Sequence, residues 1–122
     1  MDTQLKELIR NGENGHVEFK KKVTHTEKIA KTLVSFANSS GGIILIGVED
    51  NGNIVGTNPD EEIFMLEKAA EFYCKPPIPL TIEEIASEED EEQIVLVVHV
   101  KESSKKPHSA LQKNSQWVAY VR

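Results

Sequence analysis

The chain has 122 residues, 39% of them hydrophobic and 28% charged, which is typical of one globular domain with a core of its own. One cysteine and four scattered histidines exclude an internal disulfide and disfavour a structural zinc site, and no window approaches the roughly 18 apolar residues of a membrane span. The net charge of −6 argues against a generic nucleic-acid binder, and the first residues lack the layout of a signal peptide, so we expect a cytoplasmic protein with no membrane partner.

The first third of the chain predicts a helix, a strand and a second helix. Residues 3–11 carry their apolar side chains on one stripe, and residues 16–20 alternate between apolar and polar. A longer apolar stripe then runs to Asn38, and Thr24 or Thr26 is the expected cap of that second helix.

The stretch from residue 36 to residue 56 predicts the strand around which the fold is organised. Four aliphatic residues, 43–46, follow a double glycine and predict a strand buried on both faces, with Ile44 and Ile46 together on one of them. The pair Asn51-Gly52 predicts a tight turn, after which residues 54–55 are expected to return as a hairpin.

The remaining residues predict one more main helix and three strands. The helix begins near Pro59 with Asp60 as its expected cap, and Pro76 and Pro77 end it. The polar segment 101–114 is predicted to be a loop. The strands are predicted at residues 80–85, 94–100 and 117–121. This order indicates the α+β class: a single domain in which two main helices cover one face of a mixed sheet.

Three acidic residues are candidates for a divalent-metal site. Glu13 precedes the first strand, Glu18 lies on its polar face, and Asp50 follows the central strand, with Glu49 as an alternative. If those strands are neighbours, the carboxylates could converge on Mg²⁺ or Mn²⁺, which activates water and binds phosphoryl oxygens. The alternative is that these are ordinary surface acids at turns and strand ends.

Basic residues at both ends of the chain are candidates for a nucleic-acid surface. Residues 1–40 have a net charge of +2, residues 41–100 of −12, and residues 101–122 of +4. The two basic ends could share a face on which Trp117 or Tyr120 stacks on a base. The candidate contacts are Lys20, Lys21, Lys22, Lys28, Lys105, Lys106, Lys113 and Arg122, with Lys31 and His108 beside them.

A cluster of small residues at positions 39–42 offers a third hypothesis, a backbone cradle for the phosphates of ATP. It follows a helix, however, whereas phosphate-binding glycine loops precede one and use its N-terminus. A helix cap and turn is therefore the favoured interpretation.

The central stretch, with its spaced asparagine, glycines and aspartate, resembles the signature of the Schlafen AlbA-type domain family, also described as a divergent AAA-type family. The matching positions are Asn38, Gly41, Gly42, Gly47, Asp50, Gly52 and Gly56. Glu13, the run from Glu18 to Lys20 and the closing Tyr120 to Arg122 also match. The resemblance spans roughly residues 10–122.

The resemblance implies an Alba-like fold and a role in nucleic-acid binding. Bacterial members are mostly N-terminal modules of transcriptional regulators, followed by a winged-helix or similar domain, and some are labelled ATP-binding. Related animal domains cleave transfer and ribosomal RNA with metal-bound acids. By position these acids would be Glu13, Glu18 and Asp50. Those nucleases use two lobes and a zinc site, whereas this chain offers one lobe and only Cys74.

Residues 1–122 are therefore interpreted as one such domain from a longer protein. The leading hypothesis is a DNA- or RNA-binding module of a transcriptional regulator. The alternatives are a metal-dependent endoribonuclease acting on structured RNA and an ATP-binding domain. A homo-oligomer and a C-terminal partner domain are further expectations, and the nuclease alternative would use Mg²⁺ or Mn²⁺ as its cofactor.

Overall fold

The computed structural model describes residues 2–122, which form three helices and seven strands. The helices are α1 (Asp2–Asn11), α2 (Thr26–Ala37) and α3 (Pro59–Phe72). The strands are β1 (Val17–Lys20), β2 (Gly42–Ile46), β3 (Cys74–Lys75), β4 (Thr81–Ala86), β5 (Ile94–Val100), β6 (Ser109–Leu111) and β7 (Trp117–Ala119).

Four of the strands form the main sheet, in the order β1-β2-β5-β4. The β1 and β2 strands are parallel and joined through α2, whereas the other two pairs are antiparallel. The sheet is therefore mixed, and the predicted α+β class is confirmed. The β2 and β5 strands lie in the middle, as their aliphatic sequences predict.

Helices cover both faces of this sheet. Ile44 and Ile46 of β2 are fully buried against α2 and α3, so the two main helices do share a face. Leu45 points to the other face, where it packs with Val17, Phe19 and Leu5 of α1. The alternation of neighbouring side chains between the two clusters confirms the predicted orientation of both β1 and β2.

A second sheet of three short strands, β3-β6-β7, was not predicted. Its inner face places Cys74 and Ala110 in the core beside α2, where both are buried. The segment 101–114 is thus not entirely a loop, because β6 lies inside it. Strands of two or three residues are too short to show a hydrophobic period, and β3 pairs with a strand more than 30 residues away.

Smaller predictions failed at the ends of elements. His25 and Asn58 occupy the N-cap positions of α2 and α3, in place of the expected threonines and Asp60. The predicted hairpin is reduced to a single bridge between Val48 and Ile54, although the turn is present. None of the helices within residues 2–122 is long and apolar enough to cross a membrane.

Candidate functional site

Glu18 joins the two ends of the chain through a cluster of charged side chains. Its Oε1 accepts a hydrogen bond of 3.0 Å from Nη1 of Arg122, and its Oε2 lies 3.0 Å from Nζ of Lys20. The Thr32 hydroxyl of α2 donates a further bond of 3.3 Å to Oε2. Two cations therefore bind one carboxylate, which leaves the cluster with a net positive charge.

Arg122 is held in this position by several other groups. Its guanidinium donates to the backbone oxygens of Asn14 and Gly15 and lies 4.2 Å from the centre of the Phe36 ring. Its backbone N–H donates to the Ser39 hydroxyl. Arginine can make all these contacts at once, because its planar guanidinium has several N–H donors at its edge and a flat face that stacks on an aromatic ring.

The charges around Glu18 control its ionisation. Burial alone would raise the pKa of the carboxyl, but hydrogen bonds from Arg122 and Lys20, together with their positive charges, outweigh it and hold the pKa below 4.5. Glu18 is thus a carboxylate at neutral pH, and it pairs with Lys20 and Arg122.

Two exposed lysines of α2 continue the positive surface. Lys28 and Lys31 follow the spacing that places residues on one side of a helix, where Thr32 and Ser35 are buried beside them. Thr32 reaches Glu18 on β1, while Nζ of Lys31 lies 4.8 Å from the centre of the Tyr120 ring, beyond β7. The helix therefore lies between the edge strand of the main sheet and the second sheet. We name this surface the α2 flank: Lys20, Lys28, Lys31 and Arg122.

Asn38, one of the motif residues, ties the end of α2 to the second sheet. Its amide nitrogen donates to the backbone oxygens of His108 and Tyr120, at 2.9 and 2.8 Å. Its amide oxygen accepts from the backbone N–H of His108 at 2.8 Å. The residue thereby positions the segment after β7 that contains Tyr120 and leads to Arg122.

The double glycine after α2 is required by close packing. Gly41 has φ +77°, and a Cβ there would lie 2.6 Å from the backbone oxygen of Val100. A Cβ on Gly42 would overlap the Phe36 ring. The backbone N–H groups of Ser39 and Gly41 both donate to the Phe36 oxygen, so they close a turn and do not point outward as a phosphate cradle requires.

The three candidate metal ligands are not brought together. Glu18 faces α2, whereas Glu13 accepts a bond from the Phe19 backbone N–H at the open edge of β1. Glu18 lies opposite Ile44, so Asp50 lies six residues further along, beyond the end of β2. Among the residues described, no group of three or more His, Cys, Asp or Glu could hold a metal ion. The carboxylates present do not fit the expected three-acid site, and metal binding by fewer of them stays a prediction.

The structure separates the predicted basic residues into different surroundings. Lys22 shares a shallow groove with Glu61 and Glu62, which weakens its attraction for an anion. Other predicted basic residues lie in the loop that follows β5. One of them, Lys106, forms a salt bridge with Glu102 of the same loop. Lys105, in the loop after β5, and Lys113, in the turn between β6 and β7, are both exposed.

His108 is not a surface residue, contrary to its expected place beside the basic residues. It is 2% exposed, and its ring nitrogens lie 2.7 Å from the Pro76 oxygen and 2.6 Å from the Ser103 hydroxyl. The carbonyl of Pro76 can only accept, so Nδ1 donates the hydrogen bond to it, and the Ser103 hydroxyl is the partner of Nε2. The residue holds the loop after β5 against the segment that follows β3, a role that no local sequence pattern signals.

Strand order separates acidic from basic regions of the molecule. The acidic residues of β4 and of the tip after it, at positions 83–92, lie at one edge of the main sheet. The β1 strand, with Lys20 at its end, forms the opposite edge. The net charge of −6 is therefore distributed unevenly over the surface, with the acidic tip at the edge of the main sheet opposite β1.

Comparisons with known proteins agree with this architecture. The Schlafen, AlbA_2 family model matches residues 13–122, whereas the curated proteins hold no match to the chain. The fold is similar to the crystal structure of the DIP2311 protein from Corynebacterium diphtheriae, with a TM-score of 0.58 and 17% sequence identity. That similarity covers 95% of this chain but only 24% of DIP2311, and at such identity it shows the fold alone. Because the family match extends over all but the first twelve residues, the chain belongs to the Schlafen AlbA_2 family.

Proposed function

We propose that this domain binds the phosphate backbone of nucleic acid through the α2 flank. Membership of the Schlafen AlbA_2 family suggests a nucleic-acid-related function. The observation that carries the proposal is that Arg122 and Lys20 converge on Glu18 while Lys28 and Lys31 extend the same surface along α2. We also propose that this module belongs to a transcriptional regulator with a further partner domain. This part of the proposal rests on the family resemblance.

The arrangement suits a polyanion better than a small ligand. Arginine and lysine side chains supply most phosphate contacts in nucleic-acid complexes, and such contacts position the protein without reading sequence. The flank includes two exposed lysines of α2, and the acidic tip lies at the other edge of the sheet. Electrostatic attraction would therefore orient the domain with α2 towards the nucleic acid.

The nuclease hypothesis has weaker support from the geometry. Both oxygens of Glu18 already accept bonds from cations, and Asp50 lies beyond the end of β2. A general nucleic-acid-binding role needs no such site. We therefore propose binding, with no hydrolytic step assigned to these residues.

The test compares two charge-matched double variants. Lys28→Gln with Lys31→Gln removes two cations from the flank, and Lys6→Gln with Arg10→Gln removes two from α1, on the other face of the main sheet. Labelled duplex DNA and structured RNA are titrated by fluorescence anisotropy at several salt concentrations. We expect the flank variant to bind more weakly and its salt slope to fall by roughly 1 for each lysine that contacts phosphate.

The α1 variant should bind as the wild type does, because its cations lie away from the flank. If the two variants lost affinity equally, net charge alone would explain the result and the proposed surface would be wrong. Absence of binding by the wild-type chain at low salt would overturn the function itself.

A further inference from the structure

The outer face of the second sheet presents the one tryptophan of the chain to solvent. Cys74, Ala110 and Val118 are register partners, and the first two are buried in the core, so this row faces inward. Side chains alternate along a strand, which places Trp117 and its partner Leu111 on the outer face. Trp117 is 40% exposed, so part of its side chain is open to solvent.

The surroundings of Trp117 are cationic. Nζ of Lys75 lies 5.4 Å from the centre of the indole ring, and Lys113 lies in the turn that joins β6 to β7. Residues 103–122 contain no Asp or Glu, although the chain as a whole has 20. A polyanion can therefore approach this face without meeting acidic side chains from the β6–β7 hairpin.

The last residues of the chain connect this face to the α2 flank. The chain runs from Trp117 through the exposed Val121 to Arg122, which binds Glu18. Five residues of extended chain span about 16 Å, at roughly 3.3 Å each. One strand of nucleic acid could thus contact the indole and the flank together.

We propose that the outer face of the second sheet binds an unpaired segment of nucleic acid, with a base stacked on the Trp117 ring. Stacking of a base on an aromatic ring is stronger than an exposed cation–π contact. A base can therefore displace the Lys75 ammonium from the ring and leave it free to bind a phosphate. Bases paired within a duplex have no open face to offer, so the substrate class is single-stranded. This inference rests on the proposed function and specifies its substrate.

Trp117 itself reports on the interaction, because it is the only tryptophan. Its emission and the anisotropy of a labelled oligothymidine of about 12 nucleotides, within the range of small single-strand sites, are followed in one titration. A duplex and an abasic strand of equal length are the matched controls. We expect the emission to be quenched by the single strand and to change little with the duplex or the abasic strand.

Variants of the same residue separate stacking from folding. Trp117→Ala should weaken single-strand binding about 5- to 150-fold, while Trp117→Phe, which keeps an aromatic face, should retain most of the affinity. Duplex binding should be equal in all three proteins. Retained single-strand affinity in Trp117→Ala, or unchanged emission at saturation, would overturn the inference while leaving the proposed function intact. If the wild type bound no nucleic acid at all, both would fall.

Discussion

Glu18 shows how a single residue can couple distant parts of the chain. Its carboxylate accepts from Arg122, 104 positions away, and from Thr32 on α2, besides pairing with Lys20 on its own strand. Removing one charged member of such a partly buried group leaves the charges of the others without an opposite charge beside them. The contribution of Glu18 to stability should therefore exceed that of an exposed surface pair.

The first residue-scale prediction concerns the pH dependence of this contribution. Arg122 and Lys20 lower the pKa of Glu18 below 4.5, against the opposing effect of burial. A carboxyl whose folded pKa is lowered stabilises the fold above its unfolded pKa, and this stabilisation is lost as the pH falls through the folded value. We expect Glu18→Gln to lower the free energy of unfolding by about 1–3 kcal/mol at pH 7. The difference from wild type should shrink below pH 4.5.

Urea denaturation of both proteins at pH 7 and at pH 3 to 4 measures this difference. Glu84→Gln, at an exposed position on β4, is the control and should change stability by less than about 0.5 kcal/mol. A Glu18→Gln penalty of equal size at every pH would show that charge on Glu18 does not contribute.

At the scale of elements, the two sheets are joined at the end of α2. Asn38 supplies three hydrogen bonds to the segments that contain His108 and Tyr120. These bonds satisfy backbone groups that water reaches only in part, so their loss would leave donors and acceptors without partners. The asparagine thus stabilises the placement of the second sheet, and with it the path of the chain to Arg122.

Substitution of Asn38 should therefore be costly. Asn38→Ala is expected to lower the free energy of unfolding by about 3 kcal/mol, at roughly 1 kcal/mol for each hydrogen bond. Asn38→Asp should cost at least as much at pH 7, because it sets a carboxylate against two carbonyl oxygens. Thermal and urea unfolding measure both. Asn53→Ala, at an exposed turn position, is the control, and a similar loss in that variant would contradict the assigned role.

The sequence was most informative where an element carries a long pattern. The predicted bounds of β5 are those observed, because six of its seven residues are aliphatic and polar residues flank them on both sides. The short β3 and β6 have no such pattern, and their pairing depends on residues far along the chain. Helix caps were displaced by one or two positions, because backbone conformation selects the cap among several suitable residues.

The sequence indicated several residues of the candidate site but did not indicate how the fold brings them together. Alternation along β1 predicted that Glu18 and Lys20 share a face, and the salt bridge between them agrees. The bond from Arg122 could not be derived, because it depends on where the last strand returns. For the same reason the sequence could not place Asp50 relative to Glu18, because Asp50 follows the end of β2 and lies outside its register with β1.

At the scale of the whole molecule, the main feature is the separation of charge across the main sheet. The strand order sets the acidic tip of residues 88–92 at the edge opposite β1, and α1 covers the face that α2 does not. The field of such a molecule is dipolar, so its net charge understates its attraction for a polyanion. A domain with a net charge of −6 can therefore bind nucleic acid on one side.

Mapping the bound surface by amide chemical shifts tests this claim most directly. A short duplex with a single-stranded extension is added at low salt to the isotopically labelled protein. The account predicts that the largest shifts fall in residues 20–32 and 117–122, that they fade as salt is raised, and that the acidic tip and α1 stay unchanged. Shifts centred on α1 or on the tip, or no shifts at low salt, would contradict it.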